Sequence, residues 1–309
     1  MEIEQELANT TPQGKTLLAI GVFDGVHAGH RYLLNRLQEQ AAKKNLLSGA
    51  VTFNPHPQSV LHPDHQLPWL SDLDDRVATL QQLGLSIVAV LTFTPKLAQL
   101  KARDFMSLLR KYLKMRGIMV GPDFALGRGG EGDISLLHAL GDEMEFTVDV
   151  IPPFTIEGEV VSSTLIRQAL TRGDMRRVEK LMGRRFYLKG EVITSDKRGR
   201  LLGFPTANLD IKPQQALPDN GIYATITQVN DKRFPSATNV GTRPTFGEGE
   251  RMVETYLLNY KGDLYGKHIR VEFVKKVRDE QRFPSAEELI IQMGKDVQEV
   301  DAILARDPK

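Results

Sequence analysis

The hydrophobic pattern of the chain changes character once, near residue 183, and that switch constrains the fold more than any other feature. Before it, strand-like and helix-like segments alternate. An apolar run at 16–22 precedes a helical segment at 31–44, where Leu33, Leu37 and Ala41 recur at helical spacing. Strands are predicted at 50–53, 86–93, 117–120 and 146–151. Helices are predicted at 73–83, with Ser71 as N-cap, and at 102–114 and 134–140. Two short helices, 163–171 and 175–181, close this half. Such alternation implies a parallel sheet covered on both faces, with ligands at the carboxyl ends of its strands. After residue 183 the segments at 187–194, 221–229, 237–240, 253–260 and 268–274 are strand-like and separated by Gly, Pro, Asn and Asp clusters. One helix, 286–304, follows. Many short strands with turn signals favour a closed antiparallel barrel. The expected domains are residues 1–183 and 184–309.

Composition removes several classes of function. With 40 basic and 39 acidic side chains the net charge is +1, so no strong field draws the chain to nucleic acid or an anionic membrane. There is no cysteine, which excludes disulfides, thiolate metal sites and a Cys nucleophile. Residues 1–13 are acidic and polar, unlike a secretory signal, and no stretch is apolar enough to span a bilayer. The expectation is a cytoplasmic protein with small-molecule partners, monomeric or weakly self-associating.

The sharpest local motif is Gly21-Val22-Phe23-Asp24-Gly25-Val26-His27-Ala28-Gly29-His30, which leaves a strand and enters a helix. His27 and His30 are three apart, so a helix starting here places them on one face at its N-terminus. Free amides and the positive end of the helix dipole suit a triphosphate there. Two imidazoles can donate to phosphate oxygens and stabilise a displaced pyrophosphate, while Gly21, Gly25 and Gly29 let the backbone approach a nucleotide. The Walker pattern is absent. Five of the seven histidines, His27, His30, His56, His62 and His65, fall in the first 65 residues, so a metal site and purely structural histidines stand as alternatives.

Three further segments accompany this motif: Thr52-Phe53-Asn54-Pro55-His56-Pro57, Val120-Gly121-Pro122-Asp123-Phe124 with Gly127 to Asp133, and Val161-Ser162-Ser163-Thr164-Leu165-Ile166-Arg167. Together they resemble the FMN adenylyltransferase (FAD synthetase) domain of bacterial bifunctional flavin-cofactor enzymes, within the nucleotidyltransferase superfamily. The resemblance implies that Ser162, Ser163, Thr164 and Arg167 close on the ATP phosphates, Arg167 through its guanidinium fork. It places Asn54 and Asp123 near nucleotide and flavin, and Phe23 and Asp24 within the nucleotide motif. A helix N-cap is the bland reading of residues 162–164, and it is compatible with the first, since a capped N-terminus and a phosphate cradle use the same amides. The family usually carries an aromatic and a basic residue after Phe124; this chain has Ala125-Leu126.

The second half carries Gly199-Arg200-Leu201-Leu202-Gly203-Phe204-Pro205-Thr206-Ala207-Asn208. A Gly-rich turn through Gly203, Phe204 and Pro205 suits phosphate. Thr206 and Asn208 alternate outward on a strand, where hydroxyl and amide oxygens are hard ligands suited to Mg²⁺ carried with ATP. A plain hairpin gives similar strings. Asn239-Val240-Gly241-Thr242-Arg243-Pro244-Thr245-Phe246-Gly247, Val253-Glu254-Thr255-Tyr256, Asp263-Leu264-Tyr265-Gly266, Arg278-Asp279-Glu280 and Phe283 follow. In this order they closely resemble riboflavin kinase. The whole resemblance covers residues 15 to 305. It implies a Rossmann-like nucleotidyltransferase domain, then an antiparallel β-barrel kinase domain with a C-terminal helix. The chain would convert riboflavin to FMN and FMN to FAD, with Mg²⁺ and ATP. Glu254 would be the general base for the riboflavin 5′-hydroxyl, with Arg278 and Phe283 on the flavin side. A solvated carboxylate, a salt-bridged arginine and a core phenylalanine are the bland alternatives.

Overall fold

The structure, a computed structural model, describes residues 2–64, 67–194, 203–242 and 251–307. His65, residues 199–202 and residues 243–247 of the motifs lie outside the described residues. The chain divides into two compact units, Met1–Ser163 and Thr164–Lys309.

The first unit is built on five parallel strands: β1 (Thr16–Ile20), β2 (Leu47–Asn54), β3 (Ile87–Thr92), β4 (Met115–Val120) and β5 (Thr147–Val150). Their order is β3-β2-β1-β4-β5. The chain runs outward from β1 through β2 to β3, then returns to add β4 on the other side. The order therefore reverses between β1 and β4, and loops leaving their carboxyl ends flank a crevice. Both faces are covered, as every side chain of β1 is buried. On one side α2 (Ala28–Lys43) buries Leu34, Leu37 and Ala41 with Leu17, Ala19 and Phe23. On the other, α6 (Ala102–Leu113) buries Phe105, Met106, Leu109 and Leu113 at helical spacing against Leu18, Ile118 and Val120.

Between these lie α1 (Glu2–Asn9), α3 (Pro57–Leu61), α4 (Leu73–Gln82), α5 (Pro95–Ala98), α7 (Ile134–Met144) and the hairpin β6 (Thr155–Ile156) with β7 (Glu159–Val160). Two details differ from expectation. The polar N-terminus forms α1, which buries Leu7 and places the Glu6 carboxylate on the amide (3.0 Å) and hydroxyl of Thr92. And Asp72, rather than Ser71, caps α4 by accepting from the Asp75 amide at 2.8 Å.

The second unit opens with α8 (Ser163–Leu170, whose first residue belongs to the first unit) and α9 (Met175–Met182). It continues as a closed barrel of β8 (Tyr187–Ile193), β9 (Ala207–Leu209), β10 (Gly221–Val229), β11 (Lys232–Thr242), β12 (Arg251–Leu257) and β13 (His268–Arg278). Around the barrel the order is β10-β11-β12-β9-β8-β13. Strand alternation sends Val240, Val253, Leu188, Val271 and Phe273 inward, where all are buried. Hydroxyls share this interior: Thr225, Thr227, Ser236, Thr238 and Thr255 are fully buried and bonded to one another, including Thr225 to Thr238 at 2.7 Å and Thr238 to Thr255 at 2.9 Å. The final helix, α10 (Ala286–Ala305), starts on a Ser285 cap that accepts from the Glu288 amide. Its Val300 packs with Ala224 and Leu258 on the barrel exterior.

Two candidate phosphate-transfer sites

The Gly21–His30 motif occupies the switch-point loop after β1. A short 3-10 turn, Asp24–Val26, leads into α2. The His27 Nδ1 accepts the His30 amide at 3.3 Å and caps α2, so the proton of neutral His27 lies on Nε2. The two imidazoles stack with centroids 3.6 Å apart and 19° between planes. His30 is half-buried and its Nδ1 has no partner among the described residues. Burial, then the charges of His27 and Arg76, hold its pKa well below the ordinary histidine range. Desolvation and the neighbouring charges thus keep His30 neutral at pH 7, with one N–H on its ring to offer.

Other motif members hold the loop from inside. Phe23 is 3% exposed within the core and meets the His30 ring edge-on at 5.2 Å. The buried Asp24 carboxylate accepts the amides of Leu70 (3.0 Å) and Ser71 (3.2 Å), while Ser71 Oγ accepts the Gly25 amide at 3.0 Å. Gly25 has φ 75°, and a Cβ there would stand 3.0 Å from Leu70. At Gly29 a Cβ would stand 3.1 Å from the Val161 carbonyl and 3.2 Å from the His27 ring. Both glycines therefore make room within the protein itself. Gly21, at the carboxyl end of β1, bonds the Val51 carbonyl.

Arg76 is the residue that motif reading passed over. Buried on α4, it donates to the Val22 carbonyl at 2.8 Å and the Phe53 carbonyl at 3.1 Å, tying the histidine loop to the end of β2, where Asn54 sits half-buried. An arginine on the buried stripe of a helix, with Leu80 one turn on, was its only sequence signal. Asp123 is exposed on the loop after β4, across the switch point. Ser163 donates to the Asp24 carbonyl at 3.2 Å, bringing Ser162 and the start of α8 beside the same turn. Thr164, exposed, and Arg167, half-buried, follow on that helix.

In the barrel, registry builds the second site. Glu254 on β12 is the direct partner of Asn239 on β11 and of Asn208 on β9. Their chain neighbours Thr238, Val240, Val253 and Thr255 point inward, so the three side chains form a row on the outer face. Asn208 is only 6% exposed, so the strand brings it under cover instead of turning it outward to solvent. Glu254 is half-buried. Phe204 packs edge-on against Tyr256, two residues along this face, with ring centroids at 5.4 Å. The exposed Gly203 and Pro205 flank it. Thr206 lines a cavity of about 520 Å³ with Pro205, Leu257, Tyr260, Asp263, Leu264 and Tyr265. The oxygens of Thr206, Asn208 and Glu254 are all hard donors, which fits Mg²⁺ better than a softer metal. Among the described residues no three His, Asp or Glu side chains gather as a metal-binding group.

Arg278 is fully engaged within the protein. Its Nε and Nη2 donate to the two oxygens of buried Asp296 at 2.8 and 2.6 Å, and Nη1 to the Asp279 carbonyl at 2.9 Å. Its guanidinium also lies 5.8 Å from the Phe283 ring centroid.

Comparison with known proteins assigns each unit. The FAD synthetase family model matches residues 9–165, and the riboflavin kinase family model matches residues 182–304. The bifunctional riboflavin kinase/FMN adenylyltransferase of Escherichia coli K12 is 39% identical over 287 residues, covering 92% of this chain and 91% of its own length. The chain belongs to this family. The enzyme of the same name from Bacillus subtilis 168 is 32% identical, covering 93% of this chain and 92% of the relative. A crystal structure named as a macrolide-efflux protein, from Streptococcus pneumoniae, superposes with a TM-score of 0.88 at 27% identity, covering 97% of each chain. Among the described residues no helix is long and apolar enough to cross a membrane. The parallel sheet, the closed antiparallel barrel and the C-terminal helix are the architecture expected for this flavin-cofactor family.

Proposed function

We propose that this bifunctional enzyme phosphorylates riboflavin at the barrel and adenylylates FMN at the parallel sheet, each step consuming ATP at its own site. The observation that carries this reading is the registered row of Asn208, Glu254 and Asn239 on the barrel, distant in sequence from the histidine turn at the other sheet's switch point.

In the kinase step the riboflavin 5′-oxygen attacks the γ-phosphorus of ATP. The bond to the β,γ-bridging oxygen breaks, ADP leaves, and the hydroxyl proton passes to the Glu254 carboxylate. Thr206 and Asn208 would hold Mg²⁺ together with the ATP phosphates, and the ion would neutralise charge on the transferring group. Phe204 against Tyr256 backs the turn through Gly203 and Pro205 that faces the nucleotide. In the second step a phosphate oxygen of FMN attacks the α-phosphorus of a second ATP, and pyrophosphate leaves. That nucleophile is already an anion, so the site needs donors and no base. His27 and neutral His30, the hydroxyls of Ser162 and Thr164, the backbone amide of Ser163 and the Arg167 fork supply them to the departing phosphates. Asn54 and Asp123 border the nucleotide and flavin. We assign the first activity to residues 184–309 and the second to residues 1–183, in the cytoplasm.

Incubation with riboflavin, ATP and Mg²⁺, followed by chromatographic separation of the flavins, tests the assignment. His30→Ala is expected to lower FAD formation by about 10²–10³-fold, the usual loss for one transition-state donor, and to leave FMN formation intact. Glu254→Gln is expected to do the converse while still adenylating FMN supplied directly. Loss of both reactions in a folded Glu254→Gln protein refutes the two-site assignment.

A further inference from the structure

The row on the barrel contains an acceptor that the two-step scheme leaves unused. The Oδ1 of Asn239 is shielded from water and has no hydrogen-bond partner among the described residues. Buried polar atoms of native proteins are nearly always paired, so an orphan oxygen next to the general base calls for an explanation. Its cross-strand neighbours cannot supply a donor. Ile222 is apolar, and Glu254 presents a carboxylate that is itself an acceptor. The amide's other end is turned away. Asn239 Nδ2 lies 3.4 Å from the point where a Gly241 Cβ would stand, and a Glu280 carboxylate oxygen lies 2.5 Å from the same point. The donor half of the amide thus faces the Glu280 side, leaving the acceptor half on the row.

A shared cation does not account for it. Two strand spacings, about 10 Å, separate Asn239 from Asn208. Side chains on the outside of a closed barrel diverge, so one ion held at about 2 Å per ligand does not join them. Among the described residues no donor stands beside it, which points to one carried by a bound molecule, and the substrate bears such donors next to the hydroxyl that Glu254 deprotonates.

We infer that Asn239 is a specificity-determining residue of the kinase site, whose Oδ1 accepts a hydrogen bond from a secondary hydroxyl of the riboflavin side chain. The inference rests on the kinase reading of the barrel given above. Riboflavin carries a run of secondary hydroxyls next to the primary one that is phosphorylated, so fixing one of them aims the 5′-oxygen at Glu254. Thr238 and Thr255, bonded at 2.9 Å directly behind Asn239 and Glu254, hold the two strands in the register that this requires. A site with a buried acceptor waiting for a hydroxyl rejects an analogue lacking it, because the acceptor then stays unpaired.

The test compares riboflavin with 10-(5-hydroxypentyl)isoalloxazine, which keeps the primary hydroxyl and lacks the secondary ones. Wild-type protein is expected to prefer riboflavin in kcat/KM. Asn239→Leu, close in volume but without an acceptor, is expected to lose roughly 10- to 100-fold of kcat/KM for riboflavin. The same variant is expected to leave the analogue, the KM for ATP and the conversion of FMN to FAD unchanged. Asn239→Ala is the second variant and carries the same expectation should Asn239→Leu fold poorly. A merely structural role would lower both flavins together, and equal losses overturn the inference, as does a wild-type enzyme that uses both flavins equally. Wild-type protein that phosphorylates neither flavin overturns the kinase reading itself.

Discussion

The Arg278–Asp296 pair joins the last barrel strand to α10, and its removal has a calculable consequence. Asp296 is buried, with its side chain 6% exposed against 16% for Arg278, and the contact is bidentate. Gln292 Nε2 donates to the same carboxylate at 2.8 Å. Asp296→Asn removes the charge and turns an amide N–H₂ toward three donors, stranding a mostly buried guanidinium. Breaking a buried pair in this way typically costs about 3–5 kcal/mol. Because the arginine keeps some water, the lower end applies, about 3 kcal/mol. For a unit of this size that corresponds to a melting shift of about 10 °C. The chain has one tryptophan, Trp69, which lies in the first unit. Trp fluorescence therefore follows that unit, while far-UV circular dichroism and riboflavin phosphorylation follow the barrel. The expected result is a barrel transition lowered by about 10 °C with the Trp69 transition unmoved. The double variant Arg278→Met/Asp296→Leu should recover most of the loss, since two well-packed apolar groups often replace a buried ion pair without penalty. A shift below about 2 °C in Asp296→Asn would mean the carboxylate does not hold the arginine.

Two further outcomes follow from the structure. A fragment of residues 184–309 lacks α9, which lies along β13 and buries Met175, Val178, Leu181 and Met182, so it should melt well below a fragment of residues 164–309. Each such side chain is worth up to about 1.5–3 kcal/mol, and equal melting points would refute a supporting role for this helix. The second outcome concerns pH. His30 binds a proton at lower pH folded than unfolded, so its contribution is fully favourable above the unfolded value of 6.5 and is lost as pH falls below it. Between pH 7 and 5.5 the Trp69 transition should therefore fall more steeply in wild type than in His30→Leu; parallel slopes would show that His30 titrates normally.

The periodicity of the sequence carried most of the architecture, and the exceptions share a cause. The strand Gly221–Val229 and the helix beginning at Ala286 were legible to the residue, because one is a β-branched and aromatic run bounded by turn residues and the other follows a Ser285–Glu288 capping pair. β11 runs from Lys232 to Thr242, well beyond the expected 237–240. Its early residues Lys232, Arg233 and Pro235 are not strand-like; pairing with β10 recruits them. α1 was unreadable for a similar reason, since Glu6 finds its partner Thr92 86 positions away. At the sites, His27, His30 and Glu254 stood out by motif and Asn239 opened another without a role of its own, whereas Arg76 stood in none. Arg76 acts on backbone carbonyls of two distant loops, and Asn239 comes beside Glu254 only once β11 and β12 have paired.

On the proposed assignment, the chemistry of the two nucleophiles accounts for the opposite character of the two sites. FMN arrives as an anion; an acceptor near its phosphate would repel it, and a cationic imidazole pair stacked at 3.6 Å would be costly to maintain. The proposed adenylyl site answers with donors: an imidazole whose Nδ1 is committed to the cap of α2, a second kept uncharged by burial, and the Ser162 hydroxyl and Arg167 guanidinium. Riboflavin arrives as a neutral polyol with a proton to lose, so its hydroxyl calls for an acceptor. The barrel answers with oxygen acceptors in one registered row, the Glu254 carboxylate between the amides of Asn208 and Asn239. A site built for one nucleophile is thus electrostatically wrong for the other. One chain that serves both therefore needs two scaffolds: a helix N-terminus to gather donors, and a strand register to line up acceptors.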